Sequence, residues 1–235
     1  MTRPYIHKIK EDANAGDFSV IILGAGTGTR INGECKPLLK IGNECIAKRQ
    51  IRILKSKYGK NTDIIFVGGY KYAEVVSHIR GDCRILVNER YNDTNVAYSM
   101  LLGLLATNKK NCLIVYGDLV FDFESLPDLN NKSFLLVDDH QFKKEEIGVI
   151  VQSNQIVNML YEPKTKWCHI AYLTSDYSTA LFNYCKASLH HKHFGYEAIN
   201  DIINNVGPLN LVKCKSLISE VDTYKDLEEA RTKFK

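Results

Sequence analysis

A short apolar run that ends in three closely spaced glycines constrains this chain more than any other feature. Val20-Ile21-Ile22-Leu23, bounded by Ser19 and Gly24, is too short for an independent helix and carries no polar residue. That is the pattern of a strand buried on both faces of a parallel sheet. It runs into Gly24-Ala25-Gly26-Thr27-Gly28-Thr29-Arg30-Ile31 and then Lys36-Pro37-Leu38-Leu39. Glycines let the backbone turn sharply and present several N–H groups to an anion. Arg30 can fork onto phosphate oxygens and Lys36 can bring an ammonium to the same group. The segment Leu23 to Arg30, with Lys36, reads as a cradle for a triphosphate, Lys36 and Arg30 being the catalytic candidates.

Two commoner glycine loops compete with that reading. A P-loop ends in Gly-Lys-Ser/Thr, whereas Gly28 is followed by Thr29-Arg30. A dinucleotide fingerprint spaces its third glycine one residue later and opens a helix, which Pro37 would interrupt. An NAD(P)-binding oxidoreductase therefore stands only as an alternative.

The chain downstream alternates strand and helix. A helix is expected from about Glu44 to Tyr58, capped by Asn43, then a strand over Asp63–Val67, a helix from Tyr72 to Arg80 and a strand over Arg84–Val87. Thr94 or Asn95 caps a helix from Val96 to Thr107, whose free N–H groups beside the cradle would suit a nucleotide. The strand Cys112–Tyr116 delivers Gly117-Asp118 at its carboxyl end, a natural place for a metal-binding carboxylate, with Asp122 a weaker second candidate. Alternating elements imply right-handed crossovers and a mostly parallel sheet. From Ser133 the pattern changes to Ser133–Asp139, Ile147–Val151, Ile156–Leu160 and Cys168–Leu173, which suggest antiparallel hairpins, with Asn154 in a turn. Helices Ser175–Ala187 and Tyr196–Val206, a strand Leu209–Cys214 and a terminal helix from Tyr224 capped by Asp222 or Thr223 complete the chain.

Leu-Gly-Ala-Gly-Thr-Gly-Thr-Arg followed by Lys-Pro-Leu-Leu resembles the signature loop of the nucleotidyltransferases that join an NTP to a sugar phosphate or to phosphocholine. Val67-Gly68-Gly69-Tyr70, Asn88-Glu89-Arg90-Tyr91-Asn92, Asn95-Val96-Ala97-Tyr98-Ser99 and Val115-Tyr116-Gly117-Asp118 look most like the bacterial choline-phosphate cytidylyltransferases. The likeness runs in order from about Val20 to Asp122 and returns at Glu220-Val221-Asp222. It implies a Rossmann-like (GT-A-like) α/β fold with a mostly parallel central sheet flanked by helices and an antiparallel substrate-binding ribbon in the second half. It also implies nucleotide contacts at Gly69, Tyr70, Asn95, Ser99 and Asp118, with Mg²⁺ held by Asp118 and Asp222. Glu162-Pro163-Lys164 partly resembles a sugar-nucleotide motif with Pro and Lys exchanged, which makes Lys164 a candidate for the acceptor phosphate. The activity implied is transfer of an NMP, CMP favoured, to a small phosphorylated acceptor, phosphocholine-like or a phosphonate. A sugar 1-phosphate acceptor is the near rival.

Aromatic residues gather at Tyr161, Trp167, Tyr172, Tyr177, Phe194 and Tyr196, and aromatic faces hold quaternary ammonium groups. Tyr172 and Tyr196, with Glu197, are the acceptor-side candidates. The run His190-His191-Lys192-His193 reads as a solvated loop rather than a metal site.

With 31 basic and 27 acidic residues mixed throughout and a net charge of +4, no nucleic-acid footprint stands out, and a small anionic substrate fits better. Seven cysteines, an odd number without a C-x-x-C pair, read as buried reduced thiols and hence a cytoplasmic setting. No apolar run is long enough to span a membrane. Residues 1–17 are expected to form an arm, and 18–235 one domain: a nucleotide-binding part over 18–123, an acceptor-binding part over 124–215, and a closing segment over 216–235 with the second metal acid. A homo-oligomer is compatible with all of this.

Overall fold

The computed structural model describes residues 17–139, 146–161 and 164–234. The expected arm over 1–17 falls almost wholly outside them, as do Glu162 and Pro163. The first half is built as anticipated, from β1 (Phe18–Gly24), α1 (Ile46–Tyr58), β4 (Asp63–Gly68), α2 (Tyr72–Ile79), β5 (Arg84–Val87), α3 (Val96–Ala106) and β6 (Asn111–Tyr116), with a two-strand turn of β2 (Lys40–Ile41) and β3 (Glu44–Cys45) before α1. That turn corrects one expectation. Gly42, at φ +61, and Asn43 link β2 to β3, so Asn43 caps no helix and α1 starts after Cys45.

The second half contributes β7 (Leu119–Phe121), β8 (Phe134–Asp138), β9 (Ile147–Gln152), β10 (Gln155–Tyr161), β11 (Lys166–Leu173), α4 (Ser175–Lys186), α5 (Gly195–Asn205), β12 (Leu209–Lys213), β13 (Ile218–Glu220) and α6 (Tyr224–Lys233). Nine strands form one sheet in the order β5-β4-β1-β6-β11-β8-β12-β10-β9. β5, β4, β1 and β6 run parallel, as crossover helices require. β11 then enters antiparallel between β6 and β8, in the middle of the sheet. Only β9 and β10 form the expected hairpin, turned by Ser153 and Asn154 at φ 48 and 62. The second half is therefore a continuation of the sheet, which is mixed overall, and not an appended ribbon.

Alternation along β1 explains why it lies in the centre. Ile21 and Leu23 point into the core formed with α3, α4 and α5, whereas Val20 and Ile22 point into the core formed with α1 and α2. Val20, Ile21 and Ile22 are fully buried, and each such side chain contributes about 1.5–3 kcal/mol. A third, smaller core joins Ile31 of the glycine loop to Val120, Val221, Leu227 and Phe234. It ties the closing segment of the chain to the loop after β1.

Five of the seven thiols are buried as expected of core residues, and Cys83 and Cys214 are only partly buried. None of the seven is in a disulfide, and burial pushes Cys112 and Cys185 up to about 12, which leaves them as inert thiols.

Candidate active site

The carboxyl ends of β1 and β6 meet at glycines. Gly117 N–H donates to Leu23 O at 2.8 Å, and a Cβ on Gly117 would stand 2.8 Å from both Leu23 O and Gly24 Cα. Only glycine permits that approach, which places Asp118 directly beside the loop. Gly117→Ala is expected to destabilise the fold by about 1–3 kcal/mol and to lower turnover as the strand ends separate. Thermal unfolding and initial rates check this. After β1 the loop turns back at Gly28, at φ +63, whose carbonyl accepts from Ile31 N–H and Gly33 N–H at 2.9 and 3.0 Å. A short 3₁₀ turn over Lys36–Leu38, stiffened by Pro37, then aims Lys36 back at the strand ends.

Asp222 reaches the same point from the far end of the chain. β13 pairs antiparallel with β7, Glu220 opposite Leu119, and Val221 N–H donates to Asp118 O at 3.0 Å. In extended chain, residues two apart share a face. Glu220 and Asp222 accordingly lie on one side of the buried Val221, and their carboxylates come within 4.8 Å of that of Asp118. Lys36 Nζ bridges two of them, 3.0 Å from Asp118 Oδ2 and 2.5 Å from Asp222 Oδ1, while Arg30 lies 2.8 Å from Asp222 Oδ1. Burial works against the Lys36 ammonium, but Asp118 and Asp222 more than offset it and hold its pKa above the ordinary lysine value. Burial raises the Asp118 carboxyl, and Lys36 pulls against that rise. Glu220 is held well below the usual carboxylate range, because His169, Lys166 and Lys36 outweigh its burial.

These residues fit a hard divalent cation. Oxygen donors converge from three carboxylates, Asp118 Oδ1 is buried without a hydrogen-bond partner, and Lys36 already draws on the same negative charge. Among the described residues this is the one cluster of three or more such ligands. Asp122 does not join it; its carboxylate pairs with Arg49 and caps the turn that follows β7.

Two clefts meet at Asp118. One, of about 300 Å³, is lined by Leu23, Gly24 and Gly26–Arg30, then by Lys36 and Asn95, and closes at Asp118. The other, of about 620 Å³, shares Gly26, Arg30, Asn95 and Asp118 with it and continues past Glu220 and Asp222 to Tyr161, Phe194 and Tyr196. The structure therefore brings together most of the nucleotide-side residues that the sequence suggests. Ala25, Gly69 and Tyr70 lie behind the loop instead. Tyr70 N–H donates to Ala25 O at 3.2 Å, and a Cβ on Gly69 would stand 2.8 Å from that same carbonyl oxygen.

Several expectations are corrected. Ser99 is buried and its hydroxyl accepts from Asn88 Nδ2 at 3.2 Å, so it braces the loop before α3. Nor are the first N–H groups of α3 free. Val96 donates to Asn95 Oδ1, and Ala97 donates to the carbonyl of His193. The histidine run is thus no solvated loop. It is docked on α3, with His190 stacked on Tyr184 at 3.9 Å. Tyr172 is 4% exposed in the opposite core, between Phe18 and Phe134, and pairs with Leu113 near the start of β6. It is too deep to meet an acceptor. Tyr177 donates to Pro208 O, and Trp167 is buried and donates to Ile170 O. Glu197 caps α5 through the Phe194 N–H at 2.7 Å, and Lys164 is exposed and lines neither cleft.

Glu220, His169, Lys166 and Glu146 escaped the sequence reading. Lys166 Nζ lies 2.5 Å from Glu146 Oε1 and 3.9 Å from Glu220 Oε2, and His169 Nδ1 lies 3.4 Å from Glu220 Oε1. Glu220 was recoverable in principle, since acid-apolar-acid in Glu220-Val221-Asp222 is the strand pattern that puts both acids on one face.

A glycine loop carrying a lysine and an arginine, facing converging carboxylates across the ends of β1 and β6, defines a nucleotide-handling α/β enzyme. The chain belongs to the MobA-like NTP transferase domain family, whose model matches residues 20–181. It is accordingly a nucleotidyltransferase, and the dinucleotide-binding alternative falls with that membership. The fold is similar to that of the CTP:phosphocholine cytidylyltransferase of Streptococcus pneumoniae, with TM-score 0.75, 18% identity and 93% of this chain against 99% of that one. A Bacillus anthracis protein assigned as a glucose-1-phosphate thymidylyltransferase gives TM-score 0.76 at 17% identity, over 92% and 94%. The inositol-1-phosphate CTP transferase of T. maritima gives 0.73 at 15%, over 92% and 95%. At such identities the likeness is one of fold. No curated protein matches the sequence. Among the described residues no helix is long and apolar enough to cross a membrane.

Proposed function

We propose that this chain joins the CMP part of CTP to a small phosphorylated acceptor with a cationic head, phosphocholine-like, and releases pyrophosphate. The observation that carries this reading is the meeting of the two clefts at Asp118, with Asp222 lining the second of them. One cleft is walled by bare loop backbone and cations and suits a polyphosphate. The other presents Tyr161, Phe194 and Tyr196, with Tyr161 against Tyr196 at 5.7 Å and Phe194 half exposed, beside the carboxylates of Glu146, Glu220 and Asp226. Aromatic faces favour a cationic head over a neutral sugar. CTP is favoured because two of the similar folds above are named for CTP. The parts of the chain then divide the work, 18–123 holding nucleotide, 124–215 acceptor, and 216–235 bringing the second metal acid.

An acceptor phosphate monoester has its second pKa near about 6 and is already dianionic at neutral pH, so its attack on the α-phosphorus needs no general base. The site must instead offset the repulsion of two anions and align them. Lys36, protonated and held by two carboxylates, is poised to release its ammonium to the α-phosphate as charge gathers there. Arg30 and the amides of Gly26 to Thr29 hold the β- and γ-phosphates until pyrophosphate leaves. Asp118, Asp222 and Glu220 would hold a divalent ion such as Mg²⁺, which supplies charge neutralisation and a template for both anions. The aromatic wall positions the head of the acceptor.

Pyrophosphate release measured with each of four NTPs against phosphocholine, phosphoethanolamine, a phosphonate and glucose 1-phosphate tests the assignment. Release with CTP and phosphocholine at a rate at least about tenfold above the other pairs is expected. A preference for glucose 1-phosphate with any NTP would replace the reading by that of an NDP-sugar synthase.

A further inference from the structure

The geometry assigns His169 as a positioning residue whose imidazole, facing Glu220 through Nδ1 at ion-pair distance, steers that carboxylate in the acidic cluster. This rests on the reading that Asp118, Glu220 and Asp222 gather a divalent cation. β11 does not run evenly past β8. Trp167 pairs with Val137 and Ala171 with Leu135, so four steps along β11 are matched by two along β8. The surplus is taken up at Cys168–Ile170, and within it His169 adopts a left-handed backbone at φ +55, a conformation that non-glycine residues rarely keep without a local reason. Bulges of this kind re-aim a side chain. Here the re-aimed ring lies between two aromatic walls, 4.7 Å from Tyr116 and 4.8 Å from Trp167 centroid to centroid, and is 15% exposed. The aromatic neighbours fix its plane, and the buried Nδ1, which makes no hydrogen bond, faces Glu220 Oε1 at an ion-pair distance of 3.4 Å.

Glu220 needs such a hold. It sits at the end of a three-residue strand whose partner strand is equally short, and its other oxygen is 3.9 Å from a lysine already engaged by Glu146. Without His169 its carboxylate would be free to rotate away from Asp118 and Asp222. Groups that orient a metal-binding carboxylate commonly govern cation affinity by about 10–100-fold.

The test uses Mn²⁺ as probe, with affinity read by electron paramagnetic resonance and folding by thermal unfolding. In the wild type, Mn²⁺ that binds and is lost in Asp118→Asn establishes the cation site itself; no binding, or binding indifferent to Asp118→Asn, would sink that reading and this one with it. Given the site, His169→Phe keeps a ring between Tyr116 and Trp167 but has no donor, and is expected to weaken Mn²⁺ about 10–100-fold. His169→Asn tolerates the left-handed backbone and places its amide where Nδ1 stood, so it should stay within about threefold of wild type. Unchanged affinity in His169→Phe, or an equal loss in both variants, would overturn the assignment and leave the metal site standing. A measurement on the wild type needs no variant to fold: ¹⁵N-histidine spectra are expected to show His169 protonated at Nδ1, and an unprotonated Nδ1 would overturn the proposal outright.

Discussion

Replacing Lys36 by methionine is expected to lower turnover by about 10³-fold, about 4 kcal/mol of transition-state stabilisation, and to leave Mn²⁺ binding at least as tight as in the wild type. The second half of that result is the informative one. Lys36 is 14% exposed and lies between Asp118 and Asp222, so it and a divalent ion draw on the same pair of carboxylates. Removing one positive charge leaves the acids more receptive to the other. The fold should survive, because the segment around Lys36 is anchored by Pro37 and by the buried Cys35 and Ile31, and the closing segment by β7 and β13. Steady-state rates, an Mn²⁺ titration and a melting curve on the same preparation check all three parts. A variant that turned over normally would strip Lys36 of its role, and one that lost the metal would make it structural.

Asp118→Asn and Asp222→Asn are each expected to cost about 10²–10³-fold in turnover. The double variant should lose little more than the worse single one, since groups that act as a unit do not contribute additively. Neither change removes volume, and the backbone bond from Val221 N–H to Asp118 O is untouched, so melting temperatures should move by only a few degrees. Losses that multiplied in the double variant would mean that the two acids work at separate tasks.

How much of this was legible in the sequence follows from how local each signal is. β1, its glycine loop and Lys36 could be read because a four-residue apolar run, three glycines and a proline dictate conformation within a few residues. Asp118 was legible at the end of an apolar strand, and Thr223 as the cap of α6, where its hydroxyl accepts from Asp226 N–H. The sequence could not show that β11 enters the sheet between β6 and β8, because strand order depends on distant pairing and not on local pattern. The same limit hid Glu220, brought to Asp118 only by the pairing of two three-residue strands, and His169, whose direction comes from an irregularity in register. The burial of Tyr172 is hidden from sequence for a different reason. Along β11, Trp167 and Ala171 point into one core while Tyr172 points into the other, and an aromatic residue in a strand buried on both faces gives no sign of which face holds the ligand. Ser99 fits its helix equally well as a contact or as a brace, and only the position of Asn88 decides.

The central claim is that phosphate and nucleotide are brought together across Asp118, Asp222 and Lys36 and joined at the α-phosphorus. A ³¹P NMR spectrum of the enzyme with CTP, phosphocholine and Mg²⁺ tests it most directly. The account predicts that the monoester resonance gives way to the paired doublets of an unsymmetrical diphosphate diester, matched mole for mole by pyrophosphate. Orthophosphate with CDP, or a phosphocholine signal that persists while CTP is consumed, would contradict it.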